Sequence, residues 1–571
     1  MTDKLPATAR QPIADVVIGN AKVVTLDADE RIAEAIAISG NRILAVGPRA
    51  SMEALIAPHT RVVDVGGRAV VPGLIDGHAH MDREALRSVF PSLGRVRSIE
   101  EVKAGIAELA RTRKPGEWIV TMPLGDPPFY LGLPDILAER RWPTRQDLDE
   151  AAPVNPVYIR SIWGYWRGTQ PLVSCANTAA LRLAGVGRDT VSPVPSVTIE
   201  RDSAGDPTGV FIERDMQPLV ELLWFREVAR FSQADRLAAL PRSALAYHAF
   251  GTTGVFEGHG IAADVMRAYT ETHRAGRLTM RSHLTLSPSW PAAGEMPLGR
   301  FVPSWLAWLA GAGLGDDMLR VAGIHVHIGR TAADDARATA APYTGWAGFN
   351  YDHGLPLDKA RELLLHCAAN DIRAVLIDAG SAPRILDLLE EIDRRVTLRG
   401  RRWVLSHIAV LSPRDIERIA RLGLVLTTHT NNFLFKGLAG LAGSLTEEEH
   451  GHIVPMRALR EAGVTVALAT DNVPISLFNP ISHVVARKDP KSGDIVGAGQ
   501  SISRLDALRC AASNGAYLCF DEDDRGTLEA GKLADLAVLD DDPLQVAETA
   551  LAGLRSVMTM VGGRIVHEAP G

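Results

Sequence analysis

The sequence predicts an α/β fold: a (β/α)8 TIM-type barrel with a small composite β-sandwich domain built from both termini. Three observations carry this reading. Short β-branched runs alternate with helical patterns through the middle of the chain, the two ends share a different texture, and a histidine pair follows the first strong apolar run after that texture ends. At 571 residues the chain has room for one large domain and a smaller one.

The N-terminal stretch "ADVVIGNAKVVTLDADERIAEAIAISGNRILAVG" alternates short strand-like runs with Gly-Asn turn signals, as a strand meander does. Near the C-terminus, "GTLEAGKLADLAVLDDDP" and "RSVMTMVGGRIVHE" repeat that pattern, with Gly-Gly as a hairpin turn. Residues 1–70 and 525–571 are therefore assigned to one sandwich. Residues 71–524 then form the barrel. "GTTGVFEGHG", "TMRSHLTL", "RVAGIHVHIG", "IRAVLID", "RWVLSHIAV", "GLVLTTHT" and "VTVALATDN" read as strands. Most are followed by helical patterns such as "SPRDIERIARLG". Strands alternating with helices imply a parallel sheet, and this many units over roughly 250 residues close a barrel. The segment at about 95–245 is rich in proline and tryptophan and departs from the alternation. It is read as insertions over the barrel mouth, where long loops carry function.

A net charge of −7 and a pI of about 6.2 give no electrostatic footprint for nucleic acid. Cys175, Cys367, Cys510 and Cys519 are too scattered for a disulfide framework and read as buried small hydrophobes in a reducing compartment. No stretch reaches about 18 uninterrupted apolar residues, and the N-terminus lacks a signal-peptide core. The expectation is a cytoplasmic protein without membrane contact that acts on a small molecule. A homodimer is the commonest state for such barrels.

The chemistry gathers at predicted strand ends. In "VVPGLIDGHAHMD", His78 and His80 are expected to project from one strand in the same direction, because alternate strand residues share a face. At the carboxyl end of a barrel strand, two such imidazoles can share a metal ion. His407 closes "RWVLSH" and Asp471 closes "VTVALATD". Alone, each has a structural reading, as a hydrogen-bonded histidine or a turn-forming aspartate. On one rim they form a ligand set, in which the carboxylate can also accept a proton from water.

The succession "PGLIDGHAH", "LSHIAVLSP", "ALATDNVP" and "RGTLEAGKLADLAVLDDDP" resembles the amidohydrolase superfamily. More narrowly it is similar to amidohydrolase family 3, the group containing N-substituted formamide deformylase-like proteins. "IERDSAGDPTGVFIERDMQPL" and the "VYIRSIWGYW…NTAALRLAGV" insertion support that narrower placement, and the similarity runs from about residue 12 to 565. The resemblance implies metal-assisted hydrolysis of an amide-type C–N bond. It implies His78 and His80 as a ligand pair, His407 as a later ligand or oxyanion-stabilising group, and Asp471 as ligand and catalytic base. His325, in "AGIHVHIGR", stands where the family has a bridging lysine, with His327 two residues on. Leu376 or Ile377, close to Asp378, stands where the family has another histidine.

Histidine cannot form the carbamate through which lysine bridges two ions. The expected cofactor is therefore one divalent metal, zinc by its preference for imidazole plus carboxylate with an open water position. The ligand set is His78, His80, Asp471 and one or both of His325 and His407. Substrate contacts are expected from Glu257, His259, His327, His429 and Glu213, the last matching an acidic family position although its sequence context reads as an exposed helix start. Trp166, with Trp163, Trp305 and Trp308, is a candidate aromatic wall, core packing being the default for tryptophan. Deamination, cyclic-amide or lactone opening, and a metal-depleted binding homologue are the alternatives the residues leave open.

Overall fold

Eight parallel strands succeed one another around the main sheet in chain order. They are β1 Leu74–Asp76, β2 Thr252–Ile261, β3 Arg281–Leu286, β4 Leu319–Ile328, β5 Ala374–Ile377, β6 Val404–Ser406, β7 Val425–Thr428 and β8 Val466–Leu468. The computed structural model describes residues 13–377 and 382–570. The sheet curls until its first and last strands meet. Gly77 N–H donates to the Leu468 carbonyl at 2.9 Å, and Thr470 N–H donates to the Asp76 carboxylate at 3.0 Å. A Cβ on Gly77 would stand 2.8 Å from the Ala467 Cβ and 3.0 Å from the Leu468 oxygen, so the closure requires glycine there.

Strands covered on both faces lose the polar alternation and read as continuous apolar runs. Ile75, Val375, Val404, Val425 and Ala467 form one buried cluster. Their neighbours Leu376, Leu405, Leu426 and Leu468 belong to the large core shared with the helices. Helix Pro413–Leu422 shows how sequence places that outer layer. Ser412 and Asp415 form a capping box, Pro413 occupies the first turn, and Gly423 ends the helix in the left-handed region. Ile416, Ile419 and Leu422, three apart, are the buried face.

The two chain ends share one smaller unit. A six-stranded sheet runs in the order Arg564–Glu568, Ser556–Val561, Leu536–Leu539, Ala69–Pro72, Lys22–Val24, Ile32–Ala33, so C-terminal strands pair directly with N-terminal ones. A four-stranded sheet of residues 16–64 lies against it, with Ile18, Ile36, Ile38, Val70, Leu536 and Met560 between them. This sandwich is clamped to the barrel by Arg281, at the start of β3, whose buried guanidinium meets Asp535 at 2.6 and 3.0 Å.

Between β1 and β2 the chain builds a separate five-stranded mixed sheet, spanning Ile119–Thr121 to Pro207–Glu213. Helix Gln233–His248 follows it and packs on the Met81–Glu84 turn and on helix Ala263–Arg274. That helix completes the first strand–helix unit of the barrel, so the β1-to-β2 crossover carries the inserted sheet. All four cysteines are buried and free. Among the described residues no helix is long and apolar enough to cross a membrane.

Candidate metal centre

The carboxyl ends of β1, β6 and β8 converge on one point. β1 stops at Asp76, so His78 and His80 lie just beyond the strand rather than on it, and His80 begins the short helix Met81–Glu84. The shared direction expected from strand alternation is reached by another route. Asp76 accepts the His78 amide, and the His78 carbonyl accepts the Asp471 amide at 3.0 Å, which fixes the turn against β8. His407 immediately follows β6 with φ +63°, and Asp471 follows β8 with φ +51°. Two non-glycine residues held in the left-handed region are strain stored where side chains must be aimed.

The resulting distances are short. His78 Nε2 lies 3.3 Å from His407 Nε2, and His80 Nε2 lies 3.2 Å from Asp471 Oδ1. The other Asp471 oxygen is 3.2 Å from His429 Nδ1 and accepts a hydrogen bond from Asn432 Nδ2 at 3.2 Å. Ligand atoms of His78, His80 and Asp471 all fall within 4.8 Å of one another, as do those of His407, His429 and Asp471. Burial, reinforced by His407 and His80, holds the His78 imidazole well below its usual range, and burial with Arg83 brings His80 down to about 4. Burial would raise Asp471, but His429 and His80 outweigh it and keep the carboxylate well below its usual range. Neutral imidazoles beside an ionised carboxylate are the protonation states that a metal requires.

The donor set fits a divalent ion. Buried polar atoms are normally paired, yet His78 Nδ1 and His429 Nε2 have no hydrogen-bond partner. The nitrogens of His78 and His407 face each other 3.3 Å apart. Two nitrogens each roughly 2.0–2.1 Å from a shared tetrahedral ion stand about that far apart.

The centre opens into a cavity of about 860 Å³. Its walls include Trp163, Tyr165, Phe349, Tyr351 and Phe433, with Arg83, Arg337 and Lys436 as cations. His259, His327 and His429 line it. Lys436 donates to Asn432 Oδ1 at 3.3 Å and to the Tyr165 carbonyl at 2.7 Å, and burial lowers its ammonium to about 8. Arg83, three residues after His80, sits 5.0 Å from the Trp163 ring centre with its Nε unpartnered.

Other expected contacts fall elsewhere. Trp166 packs in the inserted region's aromatic core against Trp346, and Trp305 and Trp308 are exposed on the outer surface, so of the four tryptophans Trp163 is the one on the cavity. Glu257 is buried behind the ligand pair, accepting hydrogen bonds from the Met81 amide and the Tyr269 hydroxyl, with its second oxygen 3.7 Å from His80 Nδ1. It braces the turn at Met81 and does not line the cavity. His325 is buried toward the carboxyl end of β4, beside His259 and His353. Ile377 lines the cavity, while Asp378 lies outside the described residues.

Glu213 is not the exposed helix start its sequence suggests. It ends a strand, fully buried, and accepts from the Leu219 and Val220 amides and the Ser161 hydroxyl, pinning the loop whose Asp215 and Met216 face the cavity. Burial, opposed by those amides, pushes its carboxyl from 4.5 to about 7. The sign follows from linkage. A folded-state value above the unfolded one leaves the fold unpenalised below 4.5 and removes stability progressively as pH rises to about 7, by about 3 kcal/mol in all. Urea titrations across pH 5–7 should show this slope in the wild type and lose it in Glu213→Gln. An offset between the two proteins that stays constant with pH would refute it.

His353, Arg83 and Lys436 were not legible as site residues. Only Arg83 carried a signal, its place one helical turn past His80.

A parallel eight-stranded barrel with histidines and an aspartate gathered at the carboxyl rim defines the metal-dependent hydrolase class of such barrels. Residues 61–567 match the amidohydrolase family, and the chain belongs to it. It is 28% identical to an N-substituted formamide deformylase of Arthrobacter pascens, over 98% of this chain and 99% of that one. An uncharacterized metal-dependent hydrolase from Pyrococcus furiosus shares the fold at a TM-score of 0.65, with 19% identity over 93% of this chain and 100% of that one. An atrazine chlorohydrolase of Arthrobacter aurescens, solved with zinc, shares it at 0.50, with 20% identity over 97% of this chain and 95% of that one.

Proposed function

We propose that this protein hydrolyses an amide- or formamide-type C–N bond in a small, partly aromatic or apolar substrate. The carrying observation is the convergence of His78, His80, His407 and Asp471, of which His80, His407 and Asp471 line an aromatic-walled cavity and His78 lies buried beside them. The full-length similarity to an N-substituted formamide deformylase supports this bond class. His78, His80, His407 and Asp471 would hold a divalent ion, zinc by donor type and by its presence in the related chlorohydrolase structure. When bound, such an ion lowers the pKa of water toward about 7 and polarises a carbonyl.

The chain's residues supply the rest. Asp471 accepts the proton of the attacking water and returns it to the departing amine. His429 and Asn432 hold its second oxygen, so the first faces the reacting atoms. Arg83, a cavity-lining cation whose buried Nε has no partner, donates to the carbonyl oxygen as negative charge develops there. Trp163, Tyr165 and Phe349 enclose the substituent on nitrogen and exclude water.

The test is incubation with N-substituted formamides and small N-acyl amines, measuring released carboxylate and amine separately from ammonia. Equimolar acid and amine are expected, with activity lost after chelator dialysis and restored by zinc. Ammonia as the sole nitrogen product, or activity indifferent to chelation, would overturn the assignment.

A further inference from the structure

A second histidine group lies beside the first and is not used by the chemistry above. His259 comes from β2, His325 from β4, and His353 from the segment after β4 that returns across the barrel mouth. Their ligand nitrogens lie within 4.8 Å of one another. The ring centres of His259 and His325 are 4.7 Å apart, and those of His325 and His353 are 5.1 Å apart.

His325 is the telling residue. It is fully buried, and its ring nitrogens make no well-aligned hydrogen bond beyond an approach to the Val375 backbone. A neutral imidazole always carries one N–H and one lone pair, and leaving a buried polar atom unpaired costs roughly 1–3 kcal/mol. Burial, strengthened by neighbouring imidazoles, holds all three rings well below their usual range, so protonation does not relieve the crowding.

The surroundings orient the other two rings. Ser287 Oγ takes the Asn350 amide at 3.0 Å and lies 3.1 Å from His353 Nδ1, which leaves His353 Nε2 for a ligand. Phe349 stacks on His259 at 4.1 Å and 11°. A nitrogen tied to a second partner while its ring-mate points inward is how proteins fix imidazole ligands. The close approach is built into the backbone as well. A Cβ on Gly260 (φ +77°) would stand 2.9 Å from the His325 Cβ, so β2 and β4 meet here only because that position lacks a side chain.

We propose that His259, His325 and His353 form a second divalent transition-metal site, separate from the His78–Asp471 centre and adjacent to it. Three imidazoles with a free position suit zinc or a similarly borderline ion, whereas magnesium and calcium require oxygen ligands. His259 also lies within reach of His78 and His407. His353 and His325 belong to the second group alone and are therefore the residues to change.

The chelator-stripped, full-length protein is titrated with Co²⁺, followed by visible absorption and by metal analysis after gel filtration. The wild type should take up two ions per chain, His353→Ala and His325→Ala one each, and His78→Ala one. Wild-type stoichiometry retained in both His353→Ala and His325→Ala overturns the second site. So does a single wild-type ion that His78→Ala removes and His353→Ala keeps. A single ion lost in His353→Ala but kept in His78→Ala supports this site and overturns the first centre, and no uptake at all overturns both. Thermal melts by circular dichroism report folding, with His353→Gln used if the alanine variant unfolds.

Discussion

Asp471→Asn should lower kcat by about 10²–10⁴-fold, the usual worth of a positioned general base, while leaving the fold intact. The substitution isolates charge from shape. Asp471 sits at φ +51°, a conformation that asparagine tolerates as well as aspartate does, so the backbone should not move. Asparagine's amide keeps one acceptor but presents N–H donors where His80 Nε2 and His429 Nδ1 now lie 3.2 Å from carboxylate oxygens. It cannot take a proton from water, and it weakens whatever the histidines hold. Steady-state kinetics on the substrate found in the formamide and amide assays, with a thermal melt as control, decide the matter. Activity within twofold of wild type would remove Asp471 from proton transfer.

Asp535→Ala should cost about 3–5 kcal/mol of stability, the range for breaking one side of a buried ion pair. Arg281 is 2% exposed and meets both Asp535 oxygens, and Asp535 also accepts the Gly562 amide at 2.8 Å. Removing the carboxylate strands a guanidinium between barrel and sandwich, leaving it mainly the half-exposed Asp317 at 2.7 Å. Denaturant unfolding of the variant should show a lowered midpoint. The double variant Arg281→Met with Asp535→Leu should recover much of the loss, because an apolar pair pays no desolvation penalty. An unchanged midpoint in Asp535→Ala would show that the clamp does not contribute to stability.

Legibility differed with the range of the interaction. Most barrel strands were visible because they are buried on both faces and carry short apolar runs. The sandwich was visible at both ends because Gly-Asn and Gly-Gly turns are local chemistry. His78, His80, His407 and Asp471 could be placed on one rim because each lies in the turn that follows a strand, and all parallel strands of a barrel end on the same rim. Glu213 was misread because its three donors, from Leu219, Val220 and Ser161, are supplied by a loop and a neighbouring strand that no local pattern announces. Glu257 stands behind His80, Trp166 packs against Tyr130 and Trp346, and both face packed interior, a choice made by their neighbours. His353 lies in "YDHGL", a stretch with no strand or helix periodicity, so nothing marked it as a partner of His325.

The amino-acid sequence by itself determined the strand–helix succession, the sharing of one sandwich by both termini, and the placing of His78, His80, His407 and Asp471 on one rim, because these depend on burial periodicity, turn residues and strand-end position. Only the tertiary structure decided which imidazoles share a space. The approach of β2 to β4 through Gly260, and the return of His353 across the mouth, follow from barrel closure and loop path. Those distances are properties of the closed sheet, and no spacing along the chain encodes them.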